Sequence, residues 1–131
     1  MILETTYTSR EVTLQINGIV GEPYSLLERL KMGGIGSKRM PIAAISDEYQ
    51  EYLKAAHYKT YANIELRPKG IIIHFRYKLE SYAWPIAFHA LSIETKPDLI
   101  LQSEGKFISF EEGIKLNSAF IEKLLMRSKT V

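Results

Sequence analysis

The segment Gly33-Gly34-Ile35-Gly36-Ser37-Lys38-Arg39 holds the residue types best suited to binding chemistry. Successive backbone N–H groups freed by glycines can cradle an anion, and Lys38 and Arg39 add charge beside them. Gly33, Gly34, Gly36, Ser37, Lys38 and Arg39 are therefore the candidate anion-binding set. The spacing is not the Gly-x-x-x-x-Gly-Lys-Ser/Thr of a nucleotide P-loop, and no strand is expected directly before it. The plainer reading of the same residues is a surface loop.

Other chemistries have less to work with. His57, His74 and His89 lie far apart, with no pair one helical turn apart, so no metal site and no cofactor is expected. His74 alternates with Ile73 and Phe75, which turns it toward solvent or a polar rim. No Gly-x-Ser-x-Gly elbow occurs. Asp47-Glu48 and Glu111-Glu112 read as a helix start and a loop rather than a catalytic carboxylate pair. No enzyme is expected. Tyr49, Tyr52, Tyr58, Tyr61, Phe75, Tyr77, Tyr82, Trp84 and Phe88 interleave with Lys54, Lys59, Arg67, Lys69, Arg76 and Lys78. Such a set can stack single-stranded nucleic acid, but aromatics are also what strands and cores prefer, and that second reading is the stronger.

The elements that must position these residues fit one domain over 1–131. The chain has 131 residues, 46% of them hydrophobic, enough for a single core. Charged residues make up 24% with a net charge of +2, which argues against disorder and does not by itself imply nucleic acid. Cysteine is absent, so disulfides and thiolate ligands play no part. The stretch Met1 to Asn17 has no basic region leading into an apolar run, and no window is apolar enough to span a bilayer. A soluble cytoplasmic protein is expected.

Arg10 to Asn17 alternates, with Val12, Leu14 and Ile16 on one side, and reads as a half-buried strand. Asn17-Gly18 and Gly21-Glu22-Pro23 break it. Leu26, Leu27 and Leu30 then follow at helical spacing. Pro41 discourages helix within Met32 to Ala44. Ser46 suits an N-cap, with Tyr49, Tyr52, Leu53 and Ala56 on one helical face after it, before Tyr58-Lys59-Thr60 leads out. Residues 18–60 thus form a helical insertion after the first strand.

Residues 62–128 read as a strand-rich core plus a C-terminal helix. Asn63 to Leu66 pairs with Ile71 to Tyr77 across Arg67-Pro68-Lys69-Gly70, with Gly70 in a left-handed position closing a bulged hairpin. Glu80 to Trp84 is a strand ended by Pro85, and Phe88 to Glu94 is a weaker one. Leu99 to Ser103 and Lys106 to Phe110 form a second hairpin about Glu104-Gly105. Asn117 caps a helix with Phe120, Ile121, Leu124 and Leu125 on one face. Ile64, Phe75, Trp84 and Phe107 should share one interior, which that helix closes. Ile71-Ile72-Ile73 puts isoleucine on both faces of its strand, so inserted helices or a second subunit in a homodimer should cover the outer one.

Strand, Gly, apolar strand, a strand with Trp84 and Ile86, a hairpin at Glu104-Gly105 and a closing amphipathic helix: this order resembles the pleckstrin-homology-like barrel in its small bacterial versions. Counting Arg10 to Asn17, seven strands and a final helix match that superfold. The resemblance implies an α+β fold, a small antiparallel, mostly barrel-like sheet capped by the C-terminal helix. It also implies a non-catalytic binding or interaction module, with a protein or a small anionic ligand as partner. The alternative is a binder of nucleic acid or anionic lipid headgroups through the basic glycine loop 33–39, nucleic acid being the less favoured of these.

Overall fold

The computed structural model describes residues 1–7, 9–54 and 59–129, the side chain of Lys54 excepted. Ala56, His57 and Tyr58, which the sequence places on a helical face and its exit, lie outside the described residues. The elements run β1 (Leu3–Glu4), α1 (Arg10–Val20), α2 (Leu26–Met32), β2 (Met40–Ile45), α3 (Glu51–Lys54), β3 (Tyr61–Arg67) and β4 (Gly70–Tyr77). They continue with β5 (Glu80–Ala87), β6 (Ser92–Glu94), β7 (Ile100–Ser103), β8 (Lys106–Phe110) and α4 (Gly113–Lys129). The fold is α+β: eight antiparallel strands in the order β1-β5-β4-β3-β2-β8-β7-β6, not closed, with α4 packed on its inner face.

β2 is the corner of this sheet. Met40 and Pro41 pair with Ala62 and Tyr61 of β3, whereas Ile42, Ala44 and Ile45 pair with Phe110, Ser109 and Ile108 of β8. The register shifts between Ile42 and Ala44, and such a bulge bends a strand enough to change neighbours. The stretch 18–60 therefore contains α2 and α3, as expected, but also this strand. Its residues, Met-Pro-Ile-Ala-Ala-Ile, carry no alternation that would announce it.

Arg10 to Asn17 is helix, not strand. Ser9 caps it, accepting from the Val12 amide at 3.4 Å, and the helix runs through Asn17-Gly18 to Val20. Val12, Ile16, Ile19 and Val20 lie one helical turn apart and pack on Ile72 and Ala83, the outer face of β4 and β5. Leu14, which the strand reading put beside Val12 and Ile16, faces solvent. The outer isoleucine face is thus covered by α1, and Ile71, Ile72 and Ile73 are all buried.

The hairpins rest on local chemistry. Arg67 pairs directly with Gly70, so Pro68-Lys69 is a two-residue connection without a bulge. Gly70 does not sit at positive φ; it is glycine because a Cβ there would come 2.2 Å from the Ile86 carbonyl oxygen. Glu104 (φ 52°) and Gly105 (φ 78°) give the β7–β8 hairpin its two left-handed turn residues. Pro85 does not end β5. It pairs with Ile72 on one side, while β1 covers the other side of β5 only at Tyr82 and Ala83, so its missing N–H falls on open edge.

The core lies between the sheet's inner face and α4. Ile64, Phe75 and Trp84 share it with Phe120, Ile121 and Leu124, as expected, and Leu125 packs at its margin. Phe107 does not join them. The register of β8 turns Ile108 and Phe110 inward instead. Asn117 does break the helical path, with φ −135° and ψ 32°, but its side chain reaches across the chain to Lys38. Ser46 likewise bonds Phe107 of β8 rather than capping a helix; a single 3-10 turn (Asp47–Tyr49) and the short α3 follow it.

Candidate functional site

The glycine loop is built into the fold through its own amides. Gly33 adopts a left-handed conformation (φ 73°) and ends α2, its amide bonding the carbonyls of Arg29 and Leu30. The Gly34 amide also bonds Arg29. The Ser37 amide bonds the Ile64 carbonyl at 2.8 Å, and the Lys38 amide bonds Asn117 Oδ1 at 2.8 Å. Gly36 bridges to Glu65 of β3. Four amides that an anion would need are thus engaged within the protein. The carbonyls of Gly33 and Gly34 meanwhile hold the Lys123 ammonium, at 3.4 and 3.0 Å.

Arg39 is the residue of that set that reaches a cleft. The cleft is open, about 510 Å³ in volume, and lies where β3, β4 and β5 end beside Thr5. Its floor follows from strand register. Asn63 faces His74 across the β3–β4 pair, and Arg76 faces Ser81 across the β4–β5 pair, all on the sheet face opposite the core. Lys59, Thr60, Tyr61, Tyr77, Lys78 and Tyr82 also line it, Tyr77 and Tyr82 reaching it from the core side, where they pack on Tyr52. Arg39 stacks over the Tyr61 ring with its guanidinium carbon 5.1 Å from the centroid, and Lys78 lies over Tyr77 at 5.3 Å.

Among the described residues the lining carries five basic side chains, Arg39, Lys59, His74, Arg76 and Lys78, and no carboxylate. Two of the five have acidic partners just outside. Lys59 bonds Glu111 at 2.6 Å, which holds its ammonium above the ordinary lysine range. His74 Nε2 lies 2.8 Å from Glu65 Oε1. Among the described residues Arg39, Arg76 and Lys78 form no ion pair. The Tyr82 phenol donates to Glu80 at 2.6 Å, a bond that pushes its pKa up and keeps it a neutral donor.

Behind His74 stands a half-buried polar relay. Glu65 accepts from both His74 and Arg67, and Arg67 also donates to Asn17 Oδ1 and the Gly21 carbonyl, both at 2.9 Å. Burial alone would push the Glu65 carboxyl up, but the bonds from His74 and Arg67 and the Arg67 charge outweigh it and hold it below the usual carboxylate range. The relay ties the cleft floor to the C-terminal end of α1, where a cation is favoured.

Comparison with known proteins adds no relative. No family model matches the chain, and no curated protein and no solved structure matches it. Among the described residues no three histidines, aspartates or glutamates gather to hold a metal ion, and no helix is long and apolar enough to cross a membrane.

The sequence pointed to part of this cleft by a different route. Lys59, Tyr61, Phe75, Arg76, Tyr77, Lys78 and Tyr82 belong to the interleaved aromatic and basic set, and all line it. Trp84 and Phe88 went to the core, and Arg67 to the relay. Thr5, Thr60, Asn63 and Ser81 carried no signal of their own. The joining of Arg39 to Tyr61 depends on β2 pairing with β3, and β2 was not legible as a strand.

Proposed function

We propose that this protein is a non-catalytic binding module that holds a small molecule bearing phosphoryl groups in the cleft between Arg39 and Lys78. The observation that carries the reading is that five basic side chains line one cleft and, among the described residues, no carboxylate does. Arg39 and Arg76 offer planar forks that suit phosphate oxygens, and Lys78 offers a point charge. Thr60, Asn63 and Ser81 supply neutral hydrogen-bonding groups, and the Tyr61 and Tyr77 rings supply apolar flanks.

The same proposal takes the sheet as a pleckstrin-homology-like, partly opened barrel. Supporting it are the meander β2-β3-β4-β5, the run β6-β7-β8, the corner at β2 joining the two, and α4 packed against the interior. These are seven strands and a helix, with β2 in the place that the sequence reading gave to Arg10 to Asn17; β1, α1 and α2 lie outside them.

A second reading keeps the anion at the glycine loop, through Gly33, Gly34, Gly36, Ser37 and Lys38. It is favoured only by composition, since the amides it needs already have partners. Calorimetric titration separates the two, using inorganic pyrophosphate, an inositol phosphate and a short oligothymidylate as probes. The cleft reading expects saturable binding of a phosphorylated probe that Arg39→Ala and Arg76→Ala each weaken about tenfold, one lost charged contact, while Lys38→Ala leaves it unchanged. Binding that survives Arg76→Ala and fails in Lys38→Ala would return the site to the loop. Heat only with the oligonucleotide would make the ligand a single strand.

A further inference from the structure

The helix α2 shows a face that the fold does not use. None of its seven residues is buried, and Leu26, Leu27 and Leu30 are 73%, 62% and 70% exposed. Leu30 lies four residues from Leu26 and three from Leu27, so it neighbours both on the helix surface and the three leucines form a single ridge. Isolated surface leucines need no explanation, but three together on a projecting element do.

Both ends of this short helix are nevertheless closed with care. At the start, Ser25 Oγ accepts from the Glu28 amide at 3.2 Å, and Glu28 returns the bond to the Ser25 amide at 3.0 Å. At the end, the Gly33 and Gly34 amides satisfy the carbonyls of Arg29 and Leu30, and Lys123 of α4 binds the carbonyls of Gly33 and Gly34. A two-turn helix is marginal in water by itself, and these bonds hold it without apolar burial.

The charges around the ridge choose the medium. Arg29 and Lys31 lie on α2, Lys123 sits at its end, and Arg127 of α4 stacks over Tyr24 just before it, 5.8 Å from the ring centroid. The acidic residue on the helix, Glu28, keeps its charge, its carboxyl held below the ordinary range first of all by the Ser25 amide, so α2 carries two cations and one anion and Lys123 and Arg127 beside it leave the surroundings net positive. Two copies meeting through this ridge would bring like charges together, and three leucines fall well short of the roughly 20–30 residues a side of a stable protein interface. A protruding apolar ridge edged by cations is complementary to an anionic lipid surface, which accepts apolar side chains to a depth of about 5–10 Å. We propose that α2 docks this protein peripherally on anionic bilayers, with Leu26, Leu27 and Leu30 entering the interface and Arg29, Lys31 and Lys123 at headgroup level. The inference does not rest on the phosphoryl-binding cleft.

Vesicle flotation tests it with the whole chain. Vesicles of phosphatidylcholine are compared with vesicles of equal parts phosphatidylcholine and phosphatidylserine, at low and high salt. The wild type should float with the anionic vesicles, at least about tenfold more than with the neutral ones, and lose this at high salt. Leu26→Ser/Leu30→Ser should reduce it about tenfold or more, and Arg29→Gln/Lys31→Gln should reduce it on the anionic vesicles. These positions are exposed, and circular dichroism checks that each variant keeps its fold. A wild type that stays in solution, or that binds both vesicle types equally, overturns the proposal. So does a chain whose ridge mediates self-association, seen as a dimer that Leu26→Ser/Leu30→Ser dissolves.

Discussion

Asn117 Oδ1 accepts the Lys38 amide at 2.8 Å, and Asn117 Nδ2 donates back to the Lys38 carbonyl at 3.3 Å, across seventy-nine residues of chain. The pair fastens the first turns of the closing helix to the segment before β2 that carries Arg39 to the cleft. Asn117 is buried. Asn117→Ala should therefore lower stability by about 1–3 kcal/mol in urea unfolding, the range for leaving buried groups without partners. Asn117→Asp keeps the acceptor and loses the donor, and it should fall between the wild type and Asn117→Ala.

The backbone crossing at Gly70 leaves no room for a side chain. A Cβ would meet the Ile86 carbonyl oxygen at 2.2 Å, Val20 Cγ1 at 2.8 Å and Ala87 Cα at 2.9 Å. Two of the three obstacles are backbone, which cannot swing aside. Gly70→Ala should destabilise the protein by about 3 kcal/mol, at the upper end of the overpacking range. A thermal unfolding midpoint equal to that of the wild type would show that the hairpin can shift as a body.

Ile72 and Leu27 are both large apolar residues, and the structure assigns them opposite worth. Ile72 is 1% exposed beneath Ile16 and Val20 of α1; Leu27 is 62% exposed. Ile72→Ala opens a cavity and should cost about 2–5 kcal/mol, while Leu27→Ala should stay within about 0.5 kcal/mol. Equal effects in urea unfolding would mean that α1 does not rest on the sheet as described.

The relay beneath the cleft predicts an acid limb. Glu65 titrates below its unfolded value in the folded state, so its contribution is complete above about pH 4.3, the ordinary glutamate value, and is lost as pH falls through the lower folded value. Glu28 is shifted in the same direction. Urea midpoints measured against pH should therefore drop in that window for the wild type and drop less steeply for Glu65→Gln. At neutral pH Glu65→Gln should also be less stable by about 2 kcal/mol, because the buried Arg67 loses its charged partner. A variant as steep as the wild type would place the acid sensitivity elsewhere.

Much of the fold was legible where neighbours in sequence are neighbours in space. Pro68 and Gly70 marked one hairpin and Glu104-Gly105 the other, and both stand where expected. Turn residues act on their own dihedrals, so no distant contact is needed to read them. The apolar face of α4 was legible for the same reason: Phe120, Ile121 and Leu124 recur at the helical period and are buried. The reason given for Gly70 was mistaken because the crowding comes from β5 and α1, which no local rule can see.

What only the tertiary structure decided are the elements whose pattern suits two readings. Val12, Leu14 and Ile16 alternate as a strand would, yet Val12, Ile16 and Val20 also repeat as a helix does. The Ser9 cap and the apolar patch at Ile72 and Ala83 made the helix win and left Leu14 in water. β2 has no period of its own, and its identity comes from backbone bonds to β3 and β8, supplied by distant stretches of chain. The candidate site depends on that same pairing, since Arg39 and Tyr61 meet because Pro41 lies opposite Tyr61. The amino-acid order by itself determined which short segments turn, coil or extend. The assembled sheet decided which charges share a cleft and which leucines are left facing water, because burial belongs to surfaces that exist only after the strands have paired.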